Sequence, residues 1–142
     1  MTTPQASVEQ ISVELISVKD ELSGVRRLCN QMVEKYWPSD DKEEALVSLQ
    51  LAANEAVANV TEHGYENEAG RPIHCTGTSF AGRIELEILH QGRAFNPPAE
   101  APQIVAPLEG GMGLYLIEET VDEVSYCQSG DWQCIRLVKY FR

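Results

Sequence analysis

Apolar and polar positions follow two rhythms along this chain, one of period two and one of period three to four. Residues 8–18 alternate, most clearly at Ile11, Val13 and Leu15, and predict a strand. After Lys19 and Asp20 the spacing lengthens. Leu22, Val25, Leu28, Cys29, Met32 and Val33 fall on one face of a helix running to about Tyr36. Pro38 ends it, because proline excludes the preceding residue from helical geometry. Ser39 or Asp40 is placed to cap a second helix, with Asp41, Glu43 and Glu44 near its positive end. Its buried stripe is Leu46, Leu49, Ala53, Ala56 and Val60, and Gly64 predicts a left-handed stop.

Period two then returns. Residues 72–79 and 83–89 read as a hairpin about Ala81 and Gly82, with Ile84, Leu86 and Ile88 inward and Arg83, Glu85 and Glu87 outward. Between His90 and Gly111 no period survives, and Pro97, Pro98, Pro102 and Pro107 mark a long loop. A short helix over 114–120 and strands over 122–128 and 132–140, joined at Ser129, Gly130 and Asp131, complete the chain. Strands paired mainly by hairpins, with the helices gathered together, predict an α+β fold. Its form is a two-layer α/β sandwich with a mixed, mostly antiparallel sheet and helices on one face.

The 142 residues suit a single domain, 1–142, with a core over about 10–140. Eleven basic against 22 acidic residues leave a net charge of -11, which argues against nucleic acid as partner, since phosphate binding needs clustered Lys and Arg. No apolar run approaches the ~20 residues of a membrane span, and the first residues lack a signal-peptide pattern. A cytoplasmic protein without a membrane partner is expected. Cys29, Cys75, Cys127 and Cys134 form no C-x-x-C pair, and small buried hydrophobes describe them better than zinc ligands beside His74.

Three stretches carry candidate chemistry. Glu55, Asn59 and His63 recur every four residues, drifting only ~40° per step around a helix. A proton-accepting carboxylate, a cation-ligating amide and an imidazole then share one side, although a solvated helix face is the commoner reading of such a row. His90, Gly92 and Phe95 follow a strand, where glycine lets a planar ring lie against the backbone. Gly110, Gly111, Met112 and Gly113 open a helix whose free N–H groups and dipole favour phosphate.

Together these stretches resemble the GHKL ATPase superfamily, and within it the anti-sigma-factor serine-protein kinases of bacterial partner-switching systems. Glu55, Asn59, His63 and Gly64 match the family's N box. His-x-Gly-x-x-Phe-Asn-Pro, from His90, stands where the family has Asp-x-Gly-x-x-Phe-Asp-Pro, and Glu-Gly-Gly-Met-Gly-Leu, from Glu109, matches its second glycine box. The resemblance covers residues 10–140 and implies a Bergerat-type ATP-binding fold.

It further implies ATP and Mg²⁺ as cofactors, with Asn59 holding the metal and Glu55 acting as catalytic base toward a partner serine. The nucleotide would meet Asn59, His63, His90, Gly92, Phe95, Gly111, Met112, Gly113 and Leu114, under a lid formed by residues 97–109. The implied partners are a STAS-domain anti-anti-sigma protein, a sigma factor or other regulatory target, and a second copy in a homodimer. Two positions depart from the family. Met112 stands where arginine is common, and His90 replaces the aspartate that accepts a hydrogen bond from the adenine amine. A neutral imidazole has one acceptor nitrogen in place of two oxygens, and its ordinary titration near ~6.5 would make base binding pH-dependent. The alternative to an active kinase is a kinase-dead or nucleotide-poor module that regulates by sequestration.

Overall fold

A computed structural model describes residues 9–16, 21–38, 40–93 and 120–141. Strand β1 (Glu9–Ile16) leads to helix α1 (Glu21–Tyr36) and helix α2 (Lys42–Asn59), which continues as a π-helical turn (Val60–Gly64). Strands β2 (Pro72–Ser79), β3 (Arg83–His90), β4 (Glu123–Ser129) and β5 (Trp132–Tyr140) follow. They form one five-stranded sheet in the order β1-β2-β3-β5-β4. Every pairing is antiparallel, so the expected mixed sheet narrows to an antiparallel one among the described strands. Hairpins join β2 to β3 and β4 to β5, and a hairpin turn can only reverse the chain.

The alternation sorts the sheet into an inner and an outer face. Ile73 and Cys75 of β2, Ile84, Leu86 and Ile88 of β3, and Ile135 and Leu137 of β5 are buried. Helix α1 brings Val25, Leu28, Cys29, Met32 and Val33 to the core, and α2 brings Ala45, Leu49, Ala52, Ala53, Ala56 and Val57. Met32 needs Gly77 beneath it: a Cβ there would lie 2.7 Å from Met32 Cγ. The outer face is polar, with Arg83 paired to Glu85 and Arg136 to Glu87, each at 3.2 Å. His74 and Cys75 consequently face opposite ways. His74 stacks edge-on to Trp132 at 4.9 Å, while Cys75 is buried beneath the helices.

Burial pushes the Cys29 and Cys75 thiols up to about 12, in keeping with their role as small hydrophobes. Cys127 departs from that role, since β4 is an edge strand and leaves it exposed. Helix α1 ends as Pro38 requires, its last turn closed by Trp37 N–H on the Val33 carbonyl at 3.0 Å. The N-cap of α2 lies at Asp41, beyond the expected Ser39 or Asp40, and its carboxylate makes no capping bond. It instead accepts from the Trp37 indole at 2.9 Å, tying the two helices at their junction. No helix among the described residues is long and apolar enough to cross a membrane.

Candidate functional site

The end of α2 and the exit of β3 meet, and glycine on each side makes the meeting possible. Arg93 N–H donates to the Gly64 carbonyl at 2.7 Å. A Cβ on Gly92 would stand 2.3 Å from that same oxygen and 2.9 Å from Tyr65 Cδ1. A Cβ on Gly64 would stand 2.9 Å from Cε1 of His90. Gly64 therefore serves close approach, and the expected left-handed stop does not occur there. The chain turns left-handed two residues later, at Glu66 (φ 51°) and Asn67 (φ 63°).

The π-helical turn reshapes the Glu55-Asn59-His63 row. Tyr65 N–H reaches back to the Val60 carbonyl at 2.8 Å, a bond spanning five residues where an α-helix spans four. Each residue in the wider turn sweeps a smaller angle, so His63 leaves the line of Glu55 and Asn59. Asn59 is 4% exposed, and its Nδ2 has no hydrogen-bond partner among the described residues. Glu55 is half-buried, whereas the His63 side chain is 47% exposed and lies 3.9 Å from the Glu62 carboxylate. The structure thus turns Asn59 inward and His63 outward.

His90 closes β3 and is 1% exposed. The Gly92 N–H donates to its Nδ1 at 3.1 Å. Burial lowers its pKa to about 4, because imidazolium loses its hydration there, so the ring is neutral at physiological pH. The ordinary value near ~6.5 assumed from sequence does not hold in this setting.

Tyr65 supports this junction and was missed in the sequence, where it reads as one more residue in a turn. It is buried, and its ring meets the His90 imidazole edge-on at 5.7 Å. Its hydroxyl donates to the Pro72 carbonyl at 2.6 Å and accepts from Gln91 N–H at 2.7 Å. One phenol oxygen therefore ties the start of β2 to the exit of β3. The only sequence signal was an aromatic directly after the His63-Gly64 pair. Arg71 lies over the outer face of the ring at 4.5 Å, and Arg93 pairs with Glu66. An open depression of about 390 Å³ runs along this junction, lined by Gly64, Tyr65, Arg71, Gly92 and their neighbours.

Phe95, Gly111, Met112, Gly113 and Leu114, with the 97–109 loop, lie outside the described residues. The described part of the site therefore comprises a buried amide, a carboxylate one turn before it, and a neutral imidazole fixed by its own strand exit.

Residues 17–139 match the family model described as a histidine kinase-like ATPase domain. The serine-protein kinase RsbW of Bacillus velezensis is 29% identical, over 94% of this chain and 87% of its own length. RsbW of Staphylococcus epidermidis is 30% identical, over 97% of this chain and 91% of its own. The crystal structure of the RsbU and RsbW domains of a Mycobacterium tuberculosis protein superposes with a TM-score of 0.65 at 16% identity. That likeness concerns the fold, and it covers 95% of this chain but 33% of the longer one. With nearly its whole length matched by the family model and by these kinases, the chain belongs to the histidine kinase-like ATPase domain family, among the relatives of RsbW.

Proposed function

We propose that this chain is a serine-protein kinase that uses a nucleoside triphosphate, ATP in the family resemblance, to phosphorylate a STAS-domain partner. In its other role it holds a sigma factor or comparable target, and the partner's phosphorylation state decides which is bound. The observation that carries this reading is the Asn59 side chain, buried one helical turn after Glu55 with its Nδ2 unpartnered among the described residues. Burying an unpaired N–H donor costs about 1–3 kcal/mol, a cost that an acceptor such as a phosphate oxygen would offset, while the amide oxygen of the same side chain stays available to a cation.

Such an amide fits Mg²⁺, which takes oxygen ligands and needs only one or two protein groups besides phosphates and water. When bound, the cation would neutralise charge on the transferring phosphoryl group. Asn59 would hold it through Oδ1. Glu55 would take the proton from the partner's serine hydroxyl as that oxygen bonds to the terminal phosphorus and the nucleoside diphosphate leaves. Gly111 and Gly113 would admit the phosphates and residues 97–109 would close over them as a lid, with Phe95, Met112 and Leu114 beside the nucleotide. His63, being exposed, belongs to the rim.

Nothing in this scheme needs the membrane or nucleic acid, and a cytoplasmic homodimer accommodates it. A second reading, a binding module without catalysis, has one specific observation in its favour: His90 in place of the family's aspartate. The test is phosphotransfer by the full chain to a STAS-domain protein of the same genome, with Mg²⁺ and labelled triphosphates. Serine phosphate that is lost in Glu55→Gln supports the kinase. Tight partner binding with no transfer from any nucleoside triphosphate overturns it in favour of sequestration.

A further inference from the structure

We infer that His90 reads the purine by donating a hydrogen bond, so that the base it fits carries oxygen, not an amine, at C6: guanine or hypoxanthine. This rests on the reading above that the site takes a magnesium nucleoside triphosphate with His90 at the base.

A neutral imidazole has one acceptor nitrogen and one N–H. In this structure the acceptor is already engaged. Nδ1 receives the Gly92 N–H at 3.1 Å, which places the ring hydrogen on Nε2. Nε2 has no hydrogen-bond partner among the described residues, on a side chain that is 1% exposed. To accept from an adenine amine, Nε2 would have to give up its hydrogen to Nδ1. That hydrogen would then point at the Gly92 N–H, setting two donors against each other. Turning the ring over instead would bring a carbon to the Gly92 N–H and abandon that bond. The ring also has little room, since its Cε1 and Nδ1 would lie 2.9 and 3.1 Å from a Cβ on Gly64, and Tyr65 stands edge-on beside it.

An aspartate at the same position behaves differently. Both of its oxygens accept, so one can hold the glycine N–H while the other takes an amine. Replacing it by His90 keeps the backbone bond and reverses the polarity of the atom left for the base. A donor facing a C6 oxygen is satisfied, and a donor facing a C6 amine is not. An unsatisfied buried group costs about 1–3 kcal/mol, which converts to roughly ten- to a hundredfold in affinity.

The experiment is calorimetric titration of the full chain with Mg·GTP, Mg·ITP and Mg·ATP at pH 7.5, beside His90→Asp and His90→Asn. Inosine isolates position 6, because it lacks the 2-amino group of guanine. Wild type should bind ITP and GTP at least about tenfold more tightly than ATP. His90→Asp should reverse that order. His90→Asn should preserve it, since its amide oxygen can hold the Gly92 N–H while its nitrogen donates. Wild-type preference for ATP over ITP overturns the inference and leaves nucleotide binding intact. Failure to bind any of the three overturns both this inference and the nucleotide reading beneath it. If His90→Asp does not fold, an ATP preference in His90→Asn overturns the inference by itself.

Discussion

Gly92 lies so close to Gly64 that a methyl group added to it would reach 2.3 Å from the Gly64 carbonyl oxygen. The obstacle is backbone on both sides, which cannot rotate away as a side chain can. Gly92→Ala is therefore expected to lower stability by about 1–3 kcal/mol, the usual cost of overpacking, or more if β3 must part from the helix end. Gly82→Ala is the control, because none of the described residues lies within 4 Å of a Cβ there. Thermal unfolding of the two variants checks this, and equal melting temperatures would contradict the packing described.

Gly64 and His90 should be coupled in the same way. A Cβ on Gly64 meets the imidazole at 2.9 Å, so Gly64→Ala should cost less once His90→Ala has removed the ring. In a double-mutant cycle by denaturant unfolding, the double variant should be more stable than the summed single costs by about 1 kcal/mol or more. Simple additivity would mean that the ring moves aside freely, and His90 would then not be held by its surroundings.

The sheet was legible because its signal is local. Ile84, Leu86 and Ile88 alternate with Arg83, Glu85 and Glu87, and period two assigns faces without knowledge of what covers them. The α1 stripe was legible for the same reason, and Pro38 fixed its end. Gly64 was legible as special but for the wrong cause: left-handed backbone and close approach both select glycine, and only the position of His90 decides between them. The π-helical turn left no trace in the spacing, so the straight row from Glu55 to His63 was drawn one residue too far. Tyr65 was invisible as a support because its partners, Pro72 and Gln91, join it only through the folding of two strands. Asp41 shows the same limit, its carboxylate going to Trp37 where helix rules alone send a cap.

Acid should weaken the fold through His90 in a defined window. Its folded pKa of about 4 lies below the ordinary value of 6.5, because burial disfavours the imidazolium. Between those values the unfolded chain binds a proton that the folded chain refuses. This contribution to stability is whole above ~6.5, falls by up to about 1.4 kcal/mol per pH unit, and stops falling below the folded pKa. Protonation also removes the acceptor for the Gly92 N–H. Carboxylates titrate in the same range, so the informative quantity is the difference between wild type and His90→Asn. That difference should change between pH 7 and 4.5, with wild type losing more. Parallel curves would place a hydrated imidazole at this position.

Asn59 and Glu55 should separate binding from chemistry. They lie one turn apart on α2, the first buried with Nδ2 unpartnered among the described residues and the second half-buried. Because that nitrogen makes no bond to the described protein, Asn59→Ala should change stability by no more than about 1.5 kcal/mol. Magnesium-dependent nucleotide binding, in contrast, should fall by a hundredfold or more, and the variant should lose the difference between titrations with Mg²⁺ and with a chelator. Glu55→Gln should bind the magnesium nucleotide as wild type does and lose about 10²–10⁴ in phosphotransfer, the usual contribution of a positioned base. Calorimetry with and without Mg²⁺ reads the first claim, and single-turnover transfer to the partner's serine reads the second. Wild-type magnesium dependence in Asn59→Ala would move the metal to another ligand. Undiminished transfer in Glu55→Gln would leave the serine proton to another base or to solvent.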